Sequence, residues 1–375
     1  MRQKILFMNY FITNIRVNNL LHLNNFDIPI ADEKRPHLII TGKNGSGKTI
    51  LLNAIAYYLQ FLRFGGTLDV DEVDLSIKAG HYYRSQDFII AFYPATRKPE
   101  MSEPKNPTKP DLQNKLSIKT TVTNQFLNFL SDLKIQEALA RNENQLKDAE
   151  DIKTWFDDFE KLLCEIYQDD DLKLEFNYRD YSFRILTEGK SFKFTELSDG
   201  FSAILDIVAD LILKMQEKSN VTRSYQKEGI VLIDEIETHL HLALQKNILR
   251  FLTKVFPNIQ FIVTTHSPFV MNSCNNAVAY DLEHREILGD LNEYSYESLA
   301  EGYFGVETES SYAQMQLDKF REILVKDNNT ESEIESIRQY KIDFEKIPEA
   351  ISPIIVGRYR QLSNEFSDKI RRYAK

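Results

Sequence analysis

Apolar positions change period several times along the chain. Ile12-Thr13-Asn14-Ile15-Arg16-Val17 alternates as a half-buried strand does, and Phe26-Asp27-Ile28-Pro29-Ile30 repeats the pattern before a polar turn. Leu38-Ile39-Ile40 is a short apolar run that ends in glycines. Beyond Lys48-Thr49, the segment Ile50 to Leu62 is apolar at helical spacing without a breaker, so the predicted order is strand, Gly-rich loop, helix. Asp87 to Phe92 reads as a further buried strand that stops at Tyr93-Pro94.

Pro94, Pro99, Pro104, Pro107 and Pro110 are five of the chain's 11 prolines and predict a loop. Leu112 to Tyr167 reads as helical, with an apolar stripe of Trp155, Phe159, Leu162, Leu163 and Ile166 and an acidic opposite side. A hairpin is predicted for Leu172–Tyr178 and Tyr181–Leu186, then a helix from Phe201 to Met215. Gly229 introduces Ile230-Val231-Leu232-Ile233, a run suited to burial on both faces of a parallel sheet. Phe261-Ile262-Val263 is its sister, with a helix from His241 to Val255 between them. Strands alternating with helices predict an α/β protein. Past Asp281 the pattern is helical over Tyr294–Tyr303, Ser310–Lys326 and Glu331–Lys346, broken at Asp327–Thr330, and Gly357–Lys375 is basic.

Composition narrows the options. The 375 residues carry a net charge of −10, which argues against coating nucleic acid by bulk charge, so any polyanion must be met by a local patch. Cys164 and Cys274 are too few for a disulfide framework or a four-thiolate zinc site and suit a reducing cytosol. The longest apolar stretch, Phe201 to Leu213, contains Asp206 and Asp210 and falls short of the ~20 residues of a membrane span. A cytoplasmic protein without a membrane partner is expected.

The chemistry-bearing residues lie at the predicted strand ends. Gly42-Lys43-Asn44-Gly45-Ser46-Gly47-Lys48-Thr49 fits G-x-x-x-x-G-K-[ST] between a strand and a helix. Its glycines let backbone N–H groups converge on phosphate oxygens, and the pattern predicts that Lys48 reaches the β and γ phosphates of a nucleotide and that Thr49 ligates Mg²⁺. Asp234-Glu235 follows a buried strand, where the first carboxylate can hold the Mg²⁺ and the second can polarise the attacking water. Leu197-Ser198-Asp199-Gly200-Phe201 opens a helix, and Thr264-Thr265-His266-Ser267-Pro268 closes a strand.

In this order the four motifs resemble those of the ATP-binding-cassette (ABC) ATPases, in the soluble SMC-, RecF- and OLD-like branch. The resemblance implies that Glu235 is the catalytic base and His266 the switch histidine. It also implies that Ser198 and Gly200 belong to a signature motif reaching a partner's γ-phosphate, and that Glu237–His241 is the dimer-contacting D-loop. The implied architecture is a P-loop NTPase of ABC type with an N-terminal antiparallel β subdomain. Its ATPase domain is discontinuous over 1–95 and 172–290, interrupted by a proline-rich loop and helical insertion over 96–171 and followed by a helical region over 291–375. Asp199 and Phe201 depart from the usual Leu-Ser-Gly-Gly-Gln, and Pro94-Ala95-Thr96-Arg97 stands where a Q-loop glutamine is expected. Arg97 reads there as a structural loop residue or a phosphate contact.

No sustained heptads and no Cys-x-x-Cys hook separate the Gly-rich loop from the signature, which excludes a long tether. Compact heads of this kind look like the ATPase subunits of anti-phage systems of the Septu, PARIS or retron-associated type. That likeness implies a homodimer formed through an ATP sandwich, able to assemble further, and a separate effector such as an HNH or Toprim nuclease. The alternative is a DNA-repair or chromosome-associated head that binds DNA directly, for which the basic tail Arg358–Lys375 is the local support. A small-molecule kinase leaves Leu197–Phe201 and His266 without a role. A transporter's nucleotide-binding subunit fits poorly with Asp199, Phe201 and the insertion.

Overall fold

In the computed structural model, the residues described are 11–30, 36–65, 72–77, 83–85, 87–97, 101–104, 117–216, 224–288, 298–299, 311–348 and 352–373. The chain divides into two compact units, Met1–Tyr296 and Glu297–Lys375.

The first unit is built on a six-stranded sheet. Its strands are β3 (His37–Thr41), β5 (Ile89–Tyr93), β9 (Gly229–Ile233), β10 (Ile259–Thr264), β11 (Ala277–Asp281) and β12 (Glu286–Leu288), ordered β12-β11-β3-β10-β9-β5. All neighbours pair in parallel except β12, which runs antiparallel to β11 at the edge. Strands β3, β5, β9 and β10 are buried at every position, which explains their uninterrupted apolar runs. Register brings Thr41 opposite Asp281, Ile233 opposite both Tyr93 and Val263, and Thr264 opposite Ile40. Five carboxyl ends therefore finish at one level, the place where ligands bind in sheets of this kind.

Two antiparallel sheets flank this core. Strands β1 (Ile12–Leu20), β2 (Leu23–Pro29) and β4 (Val73–Ile77) form the first, with β1 central. Strands β6 (Lys173–Asn177), β7 (Ser182–Thr187) and β8 (Lys190–Lys193) form the second. The sequence reading lacked β4 and β8. Each is short and carries polar residues, so its period is too weak to stand out before its neighbour supplies the pairing.

Helix α1 (Lys48–Phe64) follows the Gly-rich loop, and α4 (Asp199–Met215) begins at the signature. The expected helix over 112–167 is two. Helices α2 (Phe126–Asn142) and α3 (Leu146–Tyr167) are parted by Asn144 in the left-handed conformation (φ 58°), which asparagine tolerates. Residues 112–116 lie outside the described set. These two helices bury an aromatic cluster in which Trp155 stacks on Phe159 and meets Phe129 edge-on, while Phe156 stacks on Phe183 of β7. The expected helix over 241–255 is likewise broken, at Asn247 (φ −122°), into α5 (Leu242–Gln245) and α6 (Ile248–Val255). A short helix, α7 (Pro268–Met271), follows β10.

The second unit contains helices Ser311–Val325, Glu331–Glu345, Pro353–Glu365 and Ser367–Tyr373 around a core of Phe320, Leu324, Ile337, Phe344, Tyr359 and Leu362. Thr330 and Glu333 make a reciprocal capping box that starts the second of these helices at the predicted break. The expected helix over 294–303 lies outside the described residues except at 298–299.

Candidate functional site

The Gly-rich loop leaves β3 through Gly42 (φ 131°), Gly45 (φ 85°) and Gly47 (φ 100°). At Gly47, which caps α1, an added Cβ would sit 2.9 Å from Leu23 and 3.0 Å from His22, so a side chain is excluded by space as well as by φ. Lys48 is buried, and its Nζ donates to the carbonyls of Gly42 (2.7 Å) and Lys43 (3.1 Å), folding the amine back over the loop. Burial lowers its pKa below the ordinary lysine value, opposed by the carboxylates of Glu235, Glu237, Asp234 and Asp281. The Ser46 hydroxyl is buried in the loop without a protein partner. A polar atom left over in a cradle of glycines and a charged amine suits an anionic ligand.

The β9 end supplies the acidic half. Asp234 is 2% exposed, and its Oδ1 accepts from Thr264 Oγ1 (2.6 Å) and Thr49 Oγ1 (3.2 Å). Thr49 and Asp234 therefore form the oxygen pair expected to hold Mg²⁺. Glu235 is held in the left-handed region (φ 45°), with its N–H on Thr264 Oγ1 (2.7 Å). Such a conformation costs a non-glycine residue roughly 1–3 kcal/mol and persists where its surroundings impose it.

His266 follows β10, the strand between β3 and β9, and the charges of Lys48, Glu235 and Asp234 all act on it. Burial first, and then Lys48, lowers its pKa below the ordinary histidine value, so the imidazole is neutral near pH 7. Its backbone N–H donates to Glu237 Oε1 (2.5 Å), and Thr265 Oγ1 donates to Glu237 Oε2 (2.7 Å). Burial raises the Glu237 carboxyl pKa, against these two hydrogen bonds.

Lys48, Thr49, Asp234, Glu235 and His266, expected to act together, are thus assembled at adjacent strand ends. Lys43, Asn44 and Gly45 form the exposed outer part of the loop, and Lys43 pairs with Glu283 (3.0 Å). Beside them lies a cleft of about 340 Å³ whose lining includes His22, Leu23, Asn44, Ser46, Glu283 and Arg285. The Arg285 guanidinium sits over the Phe26 ring (4.9 Å).

Ser198 and Gly200 stand apart from this group, at the start of α4. Ser198 is exposed and its side chain makes no capping bond. Gly200 is buried, and a Cβ there would lie 2.9 Å from the carbonyl of His239, so the signature packs on its own chain's 237–241 loop. Phe201 stacks on Tyr167 at the end of α3 (4.1 Å between centroids, 12° between planes). The departure from glutamine at 201 thereby ties the signature helix to the insertion. The roles of Thr264, Glu237 and Arg285 escaped sequence reasoning. Thr264 and Glu237 lay within recognised motifs, but which atoms they bond depends on register, and Arg285 had no local signal.

A sheet whose Gly-rich-loop strand, Asp-Glu strand and histidine strand end side by side has the arrangement of a P-loop nucleotide-binding head, the one expected from the resemblance of its motifs to those of the ABC type. Residues 115–272 match the family described as "AAA domain, putative AbiEii toxin, Type IV TA system". The chain is similar to the Septu protein PtuA of Bacillus mycoides (strain KBAB4), 27% identical over 310 residues that cover 74% of this chain and 41% of that protein. It is also similar to the "Retron Ec83 probable ATPase" of Escherichia coli, 45% identical over 82 residues that cover 22% of this chain and 15% of that protein. The chain thus spans less than half the length of these relatives. Among solved structures, the SMC head domain from Thermotoga maritima aligns with 72% of this chain and 94% of its own at 15% identity and a TM-score of 0.37. No helix among the described residues is long and apolar enough to cross a membrane.

Proposed function

We propose that the chain binds ATP with Mg²⁺, hydrolyses it, and uses the cycle as a switch that controls a separate effector in anti-phage defence. The carrying observation is the convergence of Lys48, Thr49, Asp234, Glu235 and His266 at the carboxyl ends of β3, β9 and β10. In this reading Lys48 leaves the Gly42 and Lys43 carbonyls for the β and γ phosphates, while loop N–H groups and the Ser46 hydroxyl take the remaining phosphate oxygens. Bound at Thr49 and Asp234, Mg²⁺ would neutralise developing phosphate charge. Glu235 accepts the proton of the attacking water, and the neutral His266 ring donates its N–H at the γ-phosphate end. The cleft lined by His22 and Arg285 leaves room for sugar and base.

The exposed N-terminus of α4, with Ser198 uncommitted, supports a sandwich in which a second copy's signature closes over the γ-phosphate. The likeness to Septu and retron proteins supports the defence role, and the effector proposed for it is a nuclease of HNH or Toprim type. Direct DNA binding has weaker support. The basic residues near the C-terminus cap and decorate helices, and Lys369 donates to the carbonyls of Leu324 (3.0 Å) and Lys326 at the end of the Ser311–Val325 helix.

Light scattering with a non-hydrolysable ATP analogue and Mg²⁺ tests the sandwich. A nucleotide-dependent doubling of mass that Lys48→Ala abolishes is expected, together with co-purification of a nuclease encoded beside this chain. A mass unchanged by nucleotide, combined with phosphate release stimulated steeply by duplex DNA at low salt, would instead favour the DNA-binding head.

A further inference from the structure

Arg97 is the last residue of the Pro94–Arg97 turn that follows β5, and it is 6% exposed. Its side chain points at the backbone of the Asp-Glu turn rather than at the Gly-rich loop. Nη1 donates to the carbonyls of Asp234 (3.1 Å) and Glu235 (3.4 Å), and Nη2 to those of Glu235 (3.4 Å) and Ile236 (3.1 Å). Nη1 also reaches the carbonyl of Pro94 (3.4 Å), closing its own turn. Three consecutive carbonyls, just where the chain leaves β9 and can no longer pair in the sheet, are thus served by one planar group. Buried carbonyls need donors, and a guanidinium fork supplies several in a fixed plane where an ammonium cannot.

The middle of these three residues is Glu235, held at φ 45°. Its N–H is fixed by Thr264 and its carbonyl by Arg97, so the strained residue is pinned on both sides. Burial works against the guanidinium charge, and the carboxylates of Glu237, Asp206, Asp234 and Glu235 support it. Glu237 carries the His266 N–H, and Asp206 lies on α4, the signature helix. Arg97 therefore bonds the catalytic turn from the turn at which the insertion begins, and its charge is sustained by the carboxylate that carries the His266 N–H and by one on the signature helix.

We infer that Arg97 is a positioning residue that holds the Glu235 backbone in the conformation needed to address the attacking water, and that it makes no phosphate contact. This rests on the hydrolytic reading of the site. Arg97→Lys keeps the charge but loses the planar fork, and Arg97→Gln keeps one donor group, so the pair covers the case in which either variant fails to fold. With the full chain, three quantities decide the matter: kcat for phosphate release, affinity for a fluorescent ATP analogue with Mg²⁺, and hydrogen exchange of the 234–240 segment without nucleotide.

The expected outcome is a fall in kcat of about 10- to 100-fold, the scale of a misplaced catalytic group, with nucleotide affinity within about twofold of wild type. Exchange should quicken at the Ile236 and Thr238 amides, which bond Thr264 and Glu235 carbonyls, while circular dichroism is unchanged. A Lys variant with wild-type kcat and wild-type exchange overturns the inference, as does a loss of ATP affinity at unchanged kcat, which would mark a phosphate ligand. If the wild type shows no Lys48-dependent phosphate release, the hydrolytic reading fails, and the exchange rates alone still decide whether Arg97 holds the turn.

Discussion

Thr264 Oγ1 donates to Asp234 and accepts from the Glu235 N–H, so one hydroxyl aligns the carboxylate proposed to hold the metal and the turn proposed to carry the catalytic base. Thr264→Val keeps the shape, strips the Glu235 amide of its partner and leaves the Asp234 carboxylate with one donor fewer. Leaving a buried donor unsatisfied costs about 1–3 kcal/mol, and urea unfolding of this variant is expected to show a loss in that range. A stability equal to wild type would mean that the Glu235 amide finds another acceptor. The residues proposed to contact phosphate and metal were legible in the sequence because each belongs to a short motif with a fixed chemical task. Thr264, Glu237 and Arg97 were not read in these roles. They act on segments remote in sequence, which the parallel register of β9 with β10, and for Arg97 that of β9 with β5, brings within reach.

At the scale of elements, β3 begins with a histidine whose burial has a pH consequence. His37 is 4% exposed, its Nδ1 accepts from the Phe261 N–H of β10 (3.1 Å), and burial lowers its pKa from 6.5 to about 4. The folded state therefore binds fewer protons than the unfolded state between pH 6.5 and 4. The stability tied to the neutral ring is whole above the unfolded value and is lost as pH falls through this window. Between pH 7.5 and 5 the loss assigned to His37 is about 2 kcal/mol. Urea titrations at the two values, compared with His37→Gln, are expected to show this difference shrinking in the variant; an equal drop in both would place the pH dependence elsewhere. Fully buried strands were legible as apolar runs, and the Asp327–Thr330 break was legible from its capping residues. The breaks at Asn144 and Asn247 were hidden in continuous helical periodicity, because a single backbone angle interrupts each helix without altering the apolar pattern.

For the whole molecule, a net charge of −10 coexists with a proposed site for a polyphosphate. In the proposed reading Lys48 and the loop amides would meet the phosphates, with the carboxylates of Asp234, Glu235 and Glu237 sustaining the buried Lys48 charge, while Glu237 is itself taken up by Thr265 and the His266 N–H. The insertion joins the same unit through the aromatic cluster of α2 and α3 and through Tyr167 on Phe201, so movement of the signature helix has a packed route to it. Glu235 is proposed to activate water for ATP hydrolysis at this site. The most direct test of this role is steady-state phosphate release from ATP with Mg²⁺ by wild type and Glu235→Gln, with nucleotide affinity measured alongside. In Glu235→Gln kcat is expected to fall at least about a hundredfold, as for loss of a general base, while ATP remains bound. Wild-type turnover by Glu235→Gln would contradict the role.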